Sequence, residues 1–153
     1  MNLNSGMSLA LMAGLMALCG QGMCDVVVNE VELSPPENGI VWVELYNTGD
    51  AAVDLTGWIV KIEDKPWAGP ISIKGIIEPK GFFVAEGQPN WEPTGNGTVS
   101  LLDASGNTVD KTPNRSDNRH NDFTYGRLPD GKKADTNADF VFMYATKGRS
   151  NVR

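Results

Sequence analysis

A few charged and oxygen-bearing side chains in this sequence stand in patterns that chemistry can use. Asp135, Asn137 and Asp139 alternate as D-x-N-x-D, with Asp130 just upstream. Oxygen side chains at every second loop position can wrap a hard cation such as calcium. Phe140, however, stands where an EF-hand loop needs Gly, and no Glu closes the loop. The plainer alternative is a turn whose Asp and Asn side chains bond their own backbone. Glu30 and Glu44 fall within apolar, alternating runs, where a buried carboxylate is costly unless it is partnered. Arg127 can partner one of them through a bidentate pair, so a structural ion pair between Glu44 and Arg127 is expected. Acid–base catalysis by the two carboxylates lacks a nucleophile and a substrate cleft. His120 lies in a polar stretch, 114–122, expected to be a surface loop. Without a second His or a Cys it makes a poor metal site.

Binding chemistry has its own candidates. Trp67 and Trp91 stand in Pro-containing loops, where an indole anchors a partner, stacks on a sugar, or covers the end of a core. Residues 25–110 hold 14 acids and 4 bases, and residues 111–153 hold 5 acids and 9 bases. The bases include Arg115, Arg119, Lys132 and Lys133. They are candidates for an anionic polymer, such as polysaccharide or DNA, or for the acidic part of a neighbouring copy. Asn96-Gly97-Thr98 and Asn114-Arg115-Ser116 are acceptor sequons, so Asn96 and Asn114 are candidate glycan sites in a translocated chain. The whole chain of 153 residues carries a net charge of -6, which argues against a dedicated nucleic-acid binder. One His and two Cys leave few parts for triad or zinc chemistry. No catalytic residue and no cofactor other than calcium is expected.

The elements that must position these groups are strands. With 17 Gly, 9 Pro and only 21% charged residues, the composition suits a turn-rich β protein. Strands are expected at 26–33, 40–47, 53–55, 58–63, 71–77, 82–86, 98–103, 107–110, 123–127 and 140–144. Period-2 alternation places Val41, Val43 and Leu45 on one face, and Trp42, Glu44 and Tyr46 on the other. Trp42 and Trp58 are expected in or near the core. Turn chemistry at Asn38-Gly39, Thr48-Gly49, Ser105-Gly106 and Asp130-Gly131 separates the runs. No helix of ten residues is expected after Cys24. Many short strands with frequent turns indicate a sandwich or barrel.

Residues 1–24 carry no charged side chain, and Leu9 to Gly20 is an apolar run of the length found in signal peptides. Cleavage before Gln21 or Asp25 is expected, which makes the protein secreted or displayed at the cell surface. A retained anchor is the rival, and then the membrane is met only through this segment. Both cysteines lie within it, so residues 25–153 must hold together without a disulfide.

Asn29-Glu30-Val31 is followed by Trp42-Val43-Glu44-Leu45-Tyr46-Asn47 and by Asp54-Leu55-Thr56-Gly57-Trp58. Then come Pro79-Lys80-Gly81-Phe82, Thr124-Tyr125-Gly126-Arg127 and Thr146-Lys147-Gly148. In this order and spacing they resemble the lamin-tail domain family over roughly 26–151. Lys147 stands where the family's closing Thr-Pro-Gly has proline. The resemblance implies an all-β, immunoglobulin-like β-sandwich and a non-catalytic role. In nuclear lamins such a domain meets proteins and DNA, and in prokaryotes similar domains occur on secreted and surface proteins. A structural or adhesive module that self-associates or docks onto a protein partner is therefore expected, with polysaccharide or DNA binding as the alternative.

Overall fold

A computed structural model describes residues 25–37, 39–63, 68–89, 91, 95–134 and 136–152. Residues 1–24, with the expected leader, and Trp67 lie outside them. Among the described residues no helix is long and apolar enough to cross a membrane.

The described residues form an all-β fold, as the composition suggests. The strands are β1 (Val26–Glu32), β2 (Trp42–Asn47), β3 (Val53–Asp54), β4 (Ile59–Glu63), β5 (Ile71–Ser72) and β6 (Ile76–Ile77). They continue as β7 (Phe82–Glu86), β8 (Asn96–Leu102), β9 (Thr108–Lys111), β10 (Arg115–Ser116), β11 (Phe123–Arg127) and β12 (Phe140–Tyr144). A 3-10 turn, Asn137–Asp139, precedes β12. One sheet runs β12-β11-β1-β2-β7. The facing sheet runs β10-β8-β4-β5, with β9 also on β8, and β3 pairs with β6 as a short ribbon. The two sheets form an immunoglobulin-like sandwich.

The core lies between the sheets. Val26, Val28, Val31, Val43 and Leu45 come from the first sheet; Trp58, Val60, Ile62, Val99 and Leu101 come from the second or its border. The alternation of Val43 and Leu45 with Trp42, Glu44 and Tyr46 holds. Trp58 is core, but Trp42 is buried on the other face of its sheet and lies outside the core cluster. Burial alone is not core membership when a segment also covers the outer face.

Two expected elements differ in form. The run 71–77 is split into β5 and β6, which pair with different partners, β4 and β3. Gly75 makes the crossing with φ +144, and a Cβ there would press on the Phe83 ring at 3.1 Å. Arg115–Ser116 sits in the polar stretch expected to be loop, yet it pairs with Gly97 and Asn96 of β8. It carries on the edge that β9 begins, so polarity marked an edge strand rather than a loop.

The first sheet also contains a bulge. Pairing between β1 and β2 shifts between Val28 and Glu30, leaving Asn29 as the extra residue. Before the bulge, Val26 and Val28 point inward. After it, Val31 points inward and Glu30 and Glu32 point outward. One extra residue therefore delivers two glutamates to the outer face.

Candidate functional site

The two faces of the first sheet hold different polar clusters, and its β11–β12 end holds a third feature. On the inner face Arg127 is 1% exposed. Its Nη2 lies 3.0 Å from Asp110 Oδ2 and its Nη1 3.3 Å from Asp139 Oδ2. Nε donates to Val28 O at 2.7 Å, and Nη1 donates to Lys132 O at 2.5 Å. Asp110 Oδ2 also accepts from Val28 N at 2.8 Å, tying β9 of one sheet to β1 of the other. The guanidinium lies 4.5 Å from the Phe140 ring centroid. Each group in this cluster has a partner of opposite charge or a backbone bond, which is what burial of charge demands.

The expected ion pair between Glu44 and Arg127 is thereby corrected. Glu30 pairs with both Glu44 and Gly126 across the strands, so these three share a face. Arg127 follows Gly126 and must point the other way. Its acids come from Asp110 and Asp139 instead.

On the outer face Glu30 and Glu44 are fully buried, and among the described residues neither has a basic partner. Glu30 accepts from Thr124 Oγ1 at 2.5 Å, Thr146 N at 2.9 Å and Thr146 Oγ1 at 2.8 Å. Glu44 accepts from Asn29 Nδ2 at 3.1 Å and from Gly148 N at 2.6 Å. Gly148 has φ +78, a left-handed conformation that glycine adopts without strain. Asp130 accepts from Asn29 Nδ2, Asn151 N and Ser150 Oγ. Asn151 Nδ2 donates to the carbonyls of Asn29 and Arg127. It fills the space beside Gly126, where a Cβ would come within 2.7 Å of it. The segment 146–151 is thus fastened over the sheet by carboxylates on β1, on β2 and in the 129–131 turn.

Burial without a cation has an electrostatic result. It pushes Glu44 up to about 7, against hydrogen bonds from Asn29 and Gly148 and with help from the charges of Glu30 and Asp130. It pushes Glu32 up to about 8, against the Ser34 amide and with help from Asp117, Glu30 and Asp122. Asp139 behaves oppositely. Burial opposes its charge, but amides of Thr136 and Ala134 and the cations Arg127 and Lys132 hold it below the usual aspartate value.

Beside this network a groove of about 400 Å³ is lined by Glu32, Trp42, Glu86, Asp122 and Lys147, among others. The Lys147 ammonium pairs with Glu86 and lies 5.5 Å from the Trp42 ring centroid.

The third feature is an aromatic row on β11 and β12. Phe123 stacks on Phe142 at 5.2 Å between centroids and meets Tyr144 at 4.1 Å; Tyr125 meets Phe142 at 5.0 Å. Arginines cover it where the second sheet does not reach. Arg115 lies 5.4 Å from Tyr125 and 5.2 Å from Phe140, and Arg119 lies 4.6 Å from Phe142. Tyr144 is 68% exposed.

Of the remaining residues singled out in the sequence, Asp135 lies outside the described residues. Asn137 is exposed, while Asp139 is 1% exposed and committed to Arg127, Ala134 N and Thr136 N. Asp139 thus serves Arg127 as an ion-pair partner through Oδ2, so a calcium ion there would meet a guanidinium already in place. Lys132 and Lys133 are not unengaged bases either, at 4.0 Å from Asp139 and 3.5 Å from Asp110. Trp91 is partly buried against the core and packs on Gly87, in the covering role. His120 donates its amide to Ser34 Oγ at 3.1 Å and holds φ +50 in the loop. Asn114 is exposed between β9 and β10, whereas Asn96 is half-buried in β8 opposite Ser116, so the two sequons lie side by side. Among the described residues no group of acids, His or Cys is gathered to hold a metal ion.

The Lamin Tail Domain family model matches residues 21–114, more than half of the chain. The chain belongs to the lamin tail domain family. That family is one of structural immunoglobulin-like domains. No curated protein matches the chain. The matched span of this lamin tail domain contains Glu30, Glu44 and Asp110. Of their partners, Val28 and Asn29 lie within it, and Thr124, Arg127, Thr146 and Gly148 follow it. Sequence reasoning missed Asp110 and the Asn29 bulge. The only signal for either was the interruption of alternation at Asn29-Glu30, which breaks the apolar run of β1.

Proposed function

We propose that this lamin tail domain is a non-catalytic structural or adhesive module. It works by self-association or by docking onto a protein partner, in secreted form or at the cell surface. The observation that carries this reading is the β11–β12 end of the first sheet. It presents an edge strand with no charged residue beside a partly exposed aromatic row, and such edges accept another strand. The buried polar groups support the same reading, because their hydrogen bonds and ion pairs go to fold closure. Sedimentation of the full chain over a range of concentrations, alone and with a cell-envelope extract, tests it. A rising mass in either setting supports it, and a strict monomer in both overturns it. Localisation is tested by sequencing the amino terminus of the protein recovered outside the cell. A chain beginning at Gln21 or Asp25 is expected, and recovery only from cytosol would end the secreted reading.

A second reading is favoured by Arg115 and Arg119, whose guanidiniums lie over aromatic rings at an accessible end of the sandwich. This arrangement suits the anionic groups of a polysaccharide or of DNA. Arg119→Ala then weakens retention on an immobilised sulfated polysaccharide or on DNA, and unchanged retention dismisses it.

A further inference from the structure

We infer that β12 is the self-recognition element of this chain: two copies join antiparallel along it, with Phe142 facing Phe142 at the two-fold axis. This rests on the self-association reading above and names its surface. Four edges bound the two sheets. The β7 edge carries Glu86, β5 is two residues long, and the β9–β10 edge is interrupted and carries Lys111 and Arg115. Charge, shortness and interruption are the usual guards against edge pairing. β12 has none of them: Phe-Val-Phe-Met-Tyr is five residues of uninterrupted, uncharged strand with one side paired to β11.

The occupant follows from the pattern. A symmetric contact requires a surface complementary to itself. About Phe142 the strand is a palindrome of side-chain type. Antiparallel pairing sets Phe140 opposite Tyr144 and Val141 opposite Met143. Aromatic thus meets aromatic on one face, and aliphatic meets aliphatic on the other. The aromatic row of Phe123, Phe142 and Tyr144 continues across the axis into the second copy, covering the exposed Tyr144. A five-residue strand pair covers less than the roughly 1,600 Å² of a standard interface, so the dimer is weak and concentration dependent. Arg119, over Phe142, approaches its own symmetry mate across the axis. Salt therefore strengthens this dimer by screening, whereas it would weaken a contact between an acidic and a basic part.

The test uses the full chain with Cys19→Ser and Cys24→Ser, and single cysteines introduced by Phe142→Cys, Tyr144→Cys or Val84→Cys. Facing residues of an antiparallel pair have Cβ atoms about 4.5–5.5 Å apart, close to disulfide reach. Under mild oxidation the Phe142→Cys chain is expected to link to itself at least about tenfold faster than either of the others. Tyr144 is the most exposed of the three positions, so random collision would favour it. Equal or faster linking of Tyr144→Cys overturns the inference. A concentration-dependent mass without linking at position 142 also overturns it and leaves the broader function standing. A strict monomer with no partner in the extract overturns both. Val141→Lys guards against a misfolded cysteine variant. With its melting temperature retained it should weaken association about tenfold or more, and unchanged association rejects β12.

Discussion

The two faces of the first sheet both bury carboxylates, but they stabilise them by different means. Inside, Asp110 and Asp139 meet the guanidinium of Arg127. Outside, Glu30, Glu44 and Asp130 meet amides, hydroxyls and carboxamides. The first solution balances charge and leaves Asp139 easily ionised. The second satisfies lone pairs without balancing charge, so protonation suits Glu44 and Glu32. Hydrogen bonds and charge balance are therefore separate requirements of buried acids, and a single sheet can meet one without the other.

The sharpest way to break the inner face is Arg127→Met. It leaves two buried aspartates with only the partly exposed Lys132 and Lys133 beside them and should cost about 3–5 kcal/mol, read from the urea midpoint. A loss below about 1 kcal/mol would show that the pair is not a main fastening.

The comparison predicts opposite responses to pH. Glu44 rises from 4.5 to about 7 on folding. Its contribution is fully present below pH 4.5 and is lost as pH rises through 7. The size is roughly 3 kcal/mol, and Glu32 continues the loss toward pH 8. Asp139 is lowered on folding, so its contribution is present in neutral solution and lost as pH falls through its folded value. Acid thus loosens the inner face and alkali the outer, and greatest stability is expected in mildly acidic solution. Thermal melts across this range check the shape. Glu44→Gln should flatten the slope between pH 4.5 and 7, and an unchanged slope would remove Glu44 from the explanation.

Smaller effects sharpen the outer face. Thr146→Val removes a hydroxyl from Glu30 and Asn151 while keeping the side-chain shape. A loss of about 1–2 kcal/mol in denaturant melts is expected. Lys147→Ala removes an exposed pair with Glu86 and a contact with Trp42. It should change stability by about 1 kcal/mol or less. A larger loss would make Lys147, rather than the carboxylates, the main fastener of the closing segment.

Much of the fold was legible because period 2 survives wherever one face is buried. β7, β11 and β12 match their expected bounds, and the Val43–Leu45 face is the core face. The sites were less legible. Alternation identifies the residues that share a face within one strand, but Arg127 finds Asp110 on the opposite sheet, a matter of how the layers stack. The bulge at Asn29 was hidden because Glu30 and Glu32 look like ordinary polar positions once the phase has shifted. D-x-N-x-D resembled a cation loop because its acids were visible and the guanidinium that takes Asp139 was remote in sequence.

The outer network has a consequence in time. Glu30 is separated from Thr146 by 116 positions and Glu44 from Gly148 by 104. During synthesis both glutamates leave the ribosome long before the groups that satisfy them. Such distant closures slow folding. Until 146–151 arrives, that face of the sheet is open to water and Glu44 ionises at its ordinary value. Closing 146–151 over the sheet is therefore expected to take up a proton at Glu44, visible as a pH dependence of folding above the ordinary glutamate range.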